Sequence, residues 1–168
     1  MTETALLLVF PALMAYAAAS DLLTMTIPNR VSLALVAAFA VLAAAGGLGW
    51  QAALMHLAAG ALVLAVAFAL FALGWIGGGD AKLAAAAALW LGFGTLVEYF
   101  FVASVAGGAL TLALLAMRKL PLPAAALGWE WLSRLHHPKT GVPYGIALAA
   151  AALMVYPHAP IFAAMIGR

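Results

Sequence analysis

Two aspartates are the residues of this chain best suited to acid–base chemistry. Asp21 and Asp80 are the only aspartates in 168 residues, and each lies at the end of an apolar stretch. A carboxylate at membrane depth costs about 2.5–3.5 kcal/mol on insertion scales, so such a residue indicates function. Two carboxyl groups held close together share one proton, because both cannot easily ionise. One member can then take a proton from water while the other polarises a carbonyl. We therefore predict Asp21 and Asp80 to be a catalytic pair.

Three glycines precede the second aspartate, in the stretch Gly77-Gly78-Gly79-Asp80. Glycine suits a sharp backbone bend or a close approach by another backbone. We expect an extended peptide substrate to approach here, which makes Gly77, Gly78 and Gly79 candidate substrate-binding residues. The alternative is a simple break between two helices, with Asp80 as the N-cap of the second helix.

Lys82 follows Asp80 by two residues and would therefore face away from that carboxylate in a helix. One interpretation is a snorkelling lysine that sets membrane topology. The other is a substrate-binding residue that contacts an acidic group of the substrate or the aspartate pair.

The composition is that of a membrane protein, with 68% hydrophobic and 7% charged residues. A soluble domain carries roughly 25% charged residues. In lipid only helices and closed barrels satisfy the backbone, and the long apolar runs lack the alternation of barrel strands. We predict an all-α polytopic membrane helix bundle that forms a single domain over residues 1–168.

The apolar runs predict about six transmembrane helices, separated by polar or glycine-rich segments. A cleaved signal peptide is an alternative for the first run, but Glu3 and the absence of nearby basic residues argue against it. The predicted helices cover about 4–19, 31–46, 51–74, 81–93, 97–117 and 143–157, and the main polar stretches are 22–30 and 118–142.

The basic residues predict the orientation of the bundle. With six helices, six of the seven basic residues fall in the loops after the first, third and fifth helices, and only Arg168 lies on the other side. This asymmetry places those loops in the cytoplasm. One helical hairpin separates the two aspartates, so both are expected at the cytoplasmic face of the membrane. The six residues are Arg30, Lys82, Arg118, Lys119, Arg134 and Lys139.

The remaining polar residues give no sign of a metal, a cofactor or a nucleic-acid partner. The chain has no cysteine, which excludes disulfides and thiolate sites. His136 and His137 are adjacent but have no evident third ligand. His56 and His158 suit packing or interfacial positions, and Glu98 is expected at the outer interface. The tryptophans, including Trp90, lie mostly near segment ends, as in an aromatic belt at the membrane interface.

Three motifs together resemble a known family. They are Asp21 followed by Ile27-Pro28-Asn29, then Gly77-Gly78-Gly79-Asp80-Ala81-Lys82-Leu83, then Val142-Pro143-Tyr144-Gly145-Ile146-Ala147. In this order they resemble type IV prepilin peptidases, which are aspartyl proteases of the GxGD group, and most closely the short form found with tight-adherence (Flp-type) pili.

The resemblance implies an intramembrane aspartic endopeptidase of the bacterial inner membrane. Such an enzyme removes the short basic leader of prepilins and pseudopilins at the cytoplasmic face. Asp21 and Asp80 match the catalytic pair of the family, and the third motif implies that Pro143 and Tyr144 bind substrate. Larger relatives also carry a cysteine-rich domain and methylate the new N-terminus. This chain lacks cysteine, so we predict no methyltransferase activity.

Two other classes of protein fit parts of this pattern. A small proton-coupled transporter or channel could use the two aspartates as an ion site, since broken helices with a buried carboxylate suit transporters. Transporter sites tend toward the membrane midplane, however, whereas these aspartates are predicted at one face. A non-enzymatic subunit of a pilus or secretion assembly is the second alternative.

Overall fold

The chain folds as a bundle of helices. A computed structural model describes residues 2–123 and 128–166, and the side chains of 7–123 and 128–163. No strand occurs within these described ranges, in agreement with the predicted all-α class. The helices are α1 (Thr2–Thr24), α2 (Asn29–Ala45), α3 (Trp50–Ala72), α4 (Gly78–Leu91), α5 (Leu96–Met117), α6 (Glu130–His136), α7 (Tyr144–Val155) and α8 (Pro160–Ile166), with short 3-10 turns at Phe93–Thr95 and Tyr156–His158.

Three of these segments are long and apolar enough to cross a membrane, namely Leu7–Thr24, Trp50–Ala72 and Phe93–Met117. Two further apolar segments, Asn29–Ala45 and Tyr144–His158, are shorter. Helix α4 has 14 residues and so extends about 21 Å, less than the roughly 30 Å hydrocarbon core. The chain is therefore a membrane-type bundle in which the helices differ in depth.

Helix α4 lies at the centre of the bundle, in contact with α2, α3 and α7. Its residues from Leu83 to Leu91 are all buried, and five of the first six are alanines. Small side chains let neighbouring helices come close where lipid provides no hydrophobic drive. A Cβ atom added at Gly60 of α3, for example, would lie 3.1 Å from Leu89 Cβ. The alanine run thus explains how α4, with only 14 residues, packs closely against three neighbouring helices.

Two buried polar side chains fix α4 against its neighbours. The indole Nε1 of Trp90 donates a hydrogen bond to the Leu35 carbonyl of α2, at 2.9 Å. His56 Nδ1 of α3 lies 2.8 Å from the Leu89 carbonyl. The prediction of an interfacial position for Trp90 was wrong, because the side chain is fully buried. Its position near a segment end reflects the shortness of α4 rather than contact with the membrane surface.

Helix α1 continues beyond its predicted end. It runs to Thr24, so the predicted polar loop 22–30 is reduced to residues 25–28. The Thr24 hydroxyl donates to the Ser20 carbonyl at 2.7 Å, and the Met25 amide donates to the Asp21 carbonyl at 2.8 Å. Met25 then takes a left-handed φ of 57°. Polar residues that indicated a loop thus form the last turn of the helix and its cap.

The polar stretch 118–142 is also more ordered than predicted, since it contains α6. Arg134 Nη1 donates to the Leu23 carbonyl at 2.8 Å, which fastens α6 to the end of α1. Arg118 Nε donates to the Leu135 carbonyl of α6, also at 2.8 Å. These arginines contact free carbonyls at helix ends. Arg168, predicted at the opposite membrane face, lies outside the described residues.

Candidate active site

Asp21 lies in the last turn of α1 with its side chain only 5% exposed. Its Oδ2 atom accepts a hydrogen bond of 2.7 Å from the backbone N–H of Gly145, in the first turn of α7. The N-terminus of a helix favours a negative charge, because its N–H groups are free and its dipole is positive there. The start of α7 therefore supports a carboxylate at Asp21.

Asp80 lies in the first turn of α4, at the third helical position, because α4 begins at Gly78. The alternative that makes Asp80 the N-cap residue does not hold, because the N-cap is Gly77, three residues earlier. Its carboxylate turns back to accept from the backbone N–H of Gly77, as the acidic residue of a capping box does. A Cβ atom at Gly77 would lie 2.9 Å from Asp80 Oδ2, so a larger residue there would displace the carboxylate.

The two carboxyl groups lie close enough for the charge of Asp21 to act on Asp80. Ile27, from the loop after α1, joins the three motifs. A Cβ atom at Gly79 would lie 3.2 Å from Ile27 Cβ, and one at Gly145 would lie 2.7 Å from Ile27 Cδ1. The starts of α4 and α7 thus pack on the same buried isoleucine, which holds both aspartates at one end of the bundle.

The glycines before Asp80 are in contact with this chain's own atoms. Gly77 faces the Asp80 carboxylate, Gly79 faces Ile27, and a Cβ atom at Gly78 would lie 3.2 Å from the Phe71 ring. Internal packing alone therefore explains why all three positions are glycine. Their role in binding substrate stays a prediction.

A groove beside Asp80, which we call the carboxylate groove, is bounded by α3, α4, α5 and α7. Its volume is about 630 Å³, and Asp80 is the one charged residue in a lining that is otherwise almost wholly apolar. Its lining residues include Val66 and Leu70 of α3, Ala84 of α4, Phe100 of α5 and Tyr144 of α7. An apolar chain in this groove would lie directly against the Asp80 side chain.

Tyr144 and Pro143 occupy different environments. Tyr144 lines the carboxylate groove, and its hydroxyl lies 3.1 Å from Thr111 Oγ1 of α5. A Cβ atom added at Gly107 of α5 would lie 3.1 Å from the Tyr144 ring. Pro143, by contrast, is fully buried. Tyr144 is therefore placed to contact a ligand in the groove, whereas Pro143 directs the entry into α7.

Lys82 lies on the other side of α4 from the carboxylate groove. Its Nζ atom donates to Asn29 Oδ1 at 2.9 Å, so it joins the start of α4 to the start of α2. The expectation that it faces away from Asp80 agrees with this contact.

Gly145 and Ile27 belong to the motifs but were not predicted as site residues. The structure shows that Gly145 supplies the hydrogen bond to Asp21 and that Ile27 packs between α4 and α7. A glycine directly after Pro143-Tyr144, at the start of an apolar run, was the available signal for a close contact at that backbone.

The described residues contain no group of three or more His, Cys, Asp or Glu side chains that could hold a metal ion. His136 Nε2 lies 2.7 Å from the Leu120 carbonyl, and His158 Nδ1 lies 3.2 Å from Glu98 Oε1 at the far end of the bundle. These histidines thus have partners unrelated to Asp21 and Asp80.

Comparison with known proteins identifies the family. No curated protein and no solved structure matches the chain significantly. The sequence profile of the type IV leader peptidase family matches residues 8–112. The matched segment includes both aspartates, Ile27 and all three glycines before Asp80, and it covers more than half of the chain. This protein therefore belongs to the type IV leader peptidase family.

Proposed function

We propose that the chain is an aspartic endopeptidase that cleaves the leader from prepilins and pseudopilins, with Asp21 and Asp80 as the catalytic pair. Membership of the family establishes peptidase activity in general terms. The observation that carries the aspartic assignment is the convergence of three distant motifs on Ile27, which brings the two aspartates to one end of the bundle.

The proposed reaction follows from two carboxyl groups that share a proton. The ionised group removes a proton from a water molecule, whose oxygen attacks the scissile carbonyl carbon. The protonated group donates a hydrogen bond to the carbonyl oxygen, which takes up negative charge. As the C–N bond breaks, a proton passes to the leaving nitrogen. Asp80 faces the groove, and the Gly145 N–H holds Asp21 behind it.

The carboxylate groove is the proposed binding site for the apolar part of the substrate. Its wall along α3 runs from Leu62 to Leu70, about 12 Å at the helical rise. This length accommodates about four extended residues. A peptide of this kind would present a bond to Asp80, with Tyr144 and the glycine run beside it. The apolar walls favour a substrate whose segment next to the cleaved bond is hydrophobic.

The cytoplasmic location of the site is also part of the proposal. Arg134 contacts the last turn of α1, where Asp21 lies, and Lys82 follows Asp80 on α4. Basic residues therefore lie at the same end of the bundle as the aspartates. By the positive-inside rule this end faces the cytoplasm of the inner membrane. A short, Flp-type peptidase without methyltransferase activity fits this arrangement.

The decisive experiment is single-turnover cleavage of a prepilin by the full chain in proteoliposomes. Asp21→Asn and Asp80→Asn should each lower the rate about 10⁴-fold or more, and the double variant should be no worse than either single one, because the pair acts as a unit. Asn keeps the size of the side chain and its hydrogen-bonding shape, so packing changes little.

Glu98→Gln is the matched control. Glu98 is an exposed carboxylate that pairs with His158 at the other end of the bundle, so its removal should leave cleavage unchanged. Substantial cleavage by either Asn variant would refute the aspartic mechanism. If either variant instead abolished proton-coupled flux in the same proteoliposomes, the ion-site alternative would replace it.

A further inference from the structure

A second groove lies on the opposite side of α3 from the carboxylate groove, and we call it the lysine groove. It is bounded by α2, α3 and α4 and has a volume of about 470 Å³. Its apolar walls include Val36 of α2 and Leu57 and Leu64 of α3, and its floor includes Ala85 of α4. Its polar lining residues are Asn29, Ser32 and Lys82, all from the first two turns of α2 or α4.

The polar end of the lysine groove is positively charged. Lys82 Nζ donates to the neutral Asn29 amide oxygen at 2.9 Å, and an ammonium group has three N–H donors. Arg30 adjoins Asn29 in the chain but does not line the groove, since its guanidinium donates to the Tyr16 hydroxyl of α1 at 3.1 Å. No acidic residue lines this groove among the described residues. A cation with a neutral partner at one end of an apolar groove complements an amphiphile with an anionic head.

The dimensions of the groove favour a lipid chain over a protein helix. From Lys82 to Leu89 the groove follows α4 for about 10 Å. A helix about 10 Å wide over that length fills roughly 800 Å³, more than the groove contains. A flexible acyl chain is much thinner and can follow the small residues Gly60, Ala85 and Ala86 along the floor.

We propose that the lysine groove binds one anionic phospholipid. One acyl chain lies along the floor between α2 and α3, and the phosphate contacts Lys82. The headgroup end is the end of the bundle that carries Asp21 and Asp80, which we assign to the cytoplasmic face. The cytoplasmic leaflet is the one that carries anionic lipid. This site is separate from the catalytic one and does not depend on the aspartic mechanism.

The test is native mass spectrometry of the full chain in detergent, titrated with phosphatidylglycerol or with phosphatidylcholine of the same acyl chains. Wild type should bind one phosphatidylglycerol about fivefold more tightly than phosphatidylcholine or better, the effect of one cation near an anionic headgroup. Lys82→Gln should remove that preference, and Lys82→Arg should retain it. Ala61→Phe, which fills the groove from an exposed position on α3, should weaken the binding of both lipids.

Two matched variants separate this site from general effects. Lys139→Gln removes an exposed cation outside the groove, and Ala58→Phe adds the same ring to an exposed position of α3 that lines neither groove. Both should retain the lipid preference. Glycerol phosphate without acyl chains should not compete, since it lacks the apolar part.

Several results would overturn the proposal. These are equal affinity for the two lipids, equal losses in Lys82→Gln and Lys139→Gln, and undiminished binding by Ala61→Phe. A dimer that Ala61→Phe dissociates, without any lipid preference, would assign the groove to a second copy of the chain. If Lys82→Gln fails to accumulate, the comparison of Ala61→Phe with Ala58→Phe decides alone.

Discussion

The carboxylate groove and the lysine groove flank the same helix, α3, and share α4 as their floor, yet they end in opposite charges. Asp80 lies in one and Lys82 in the other. Residues two apart on a helix point in directions about 200° apart, so one short stretch of sequence supplies both. A single helix start can therefore present a carboxylate to one surface and a cation to another, without contact between the two groups.

The largest expected effect beyond loss of the aspartates concerns the support behind the carboxylate groove. In Gly145→Ala the new Cβ would lie 2.8 Å from Asp21 Oδ2 and 2.7 Å from Ile27 Cδ1, so the carboxylate must move. A displacement of about 1 Å can cost about 100-fold in rate. Single-turnover prepilin cleavage measures this loss, while the lipid preference of the lysine groove should be retained.

Gly108→Ala is the control for that variant, since nothing lies within 4 Å of a Cβ atom at Gly108 of α5. Its cleavage rate should equal that of wild type. Equal rates for Gly145→Ala and wild type would contradict the claim that the close packing at Gly145 fixes the position of Asp21.

A smaller effect is expected from filling the carboxylate groove. Val66 lines it with a side chain that is 54% exposed, so Val66→Phe adds bulk to the groove without disturbing the core. We expect kcat/KM for prepilin to fall about tenfold, in the range of apolar pocket contacts. Ala61→Phe, in the lysine groove, should lower it less.

Ala58→Phe again provides the control, because the residue is exposed and lines neither groove. It should cleave prepilin at the wild-type rate. If Val66→Phe and Ala58→Phe have the same kcat/KM, the substrate does not occupy the carboxylate groove. The two grooves would then not differ in substrate binding.

The smallest expected effect is that of metal removal. The described residues contain no cluster of three metal-ligating side chains, so EDTA should leave the cleavage rate of the purified chain unchanged. The measurement is the initial rate of prepilin cleavage before and after chelation. Complete loss with recovery on addition of zinc would mean that a metal bridges Asp21 and Asp80, and that the carboxylate groove works by different chemistry.

Much of the helix pattern could be predicted from the sequence because composition and the breaks at glycine and proline are local signals. Helices α2, α3 and α5 begin and end within two residues of their predicted bounds. The last turn of α1 and the whole of α6 were not predicted as helix. Their polar residues indicated loops, whereas the structure pairs those residues with backbone carbonyls, as Arg134 pairs with Leu23. Such long-range pairs leave no periodic trace in the sequence.

The sequence by itself determined the helical membrane class of the protein and made the two aspartates the candidate site, because a carboxylate at membrane depth is costly. Only the tertiary structure decided what surrounds them. It placed Gly145 N–H on Asp21, Ile27 between the starts of α4 and α7, and Lys82 on the far side of α4 from the carboxylate groove. These contacts join residues far apart in the chain, and they depend on how closely small residues let the helices approach.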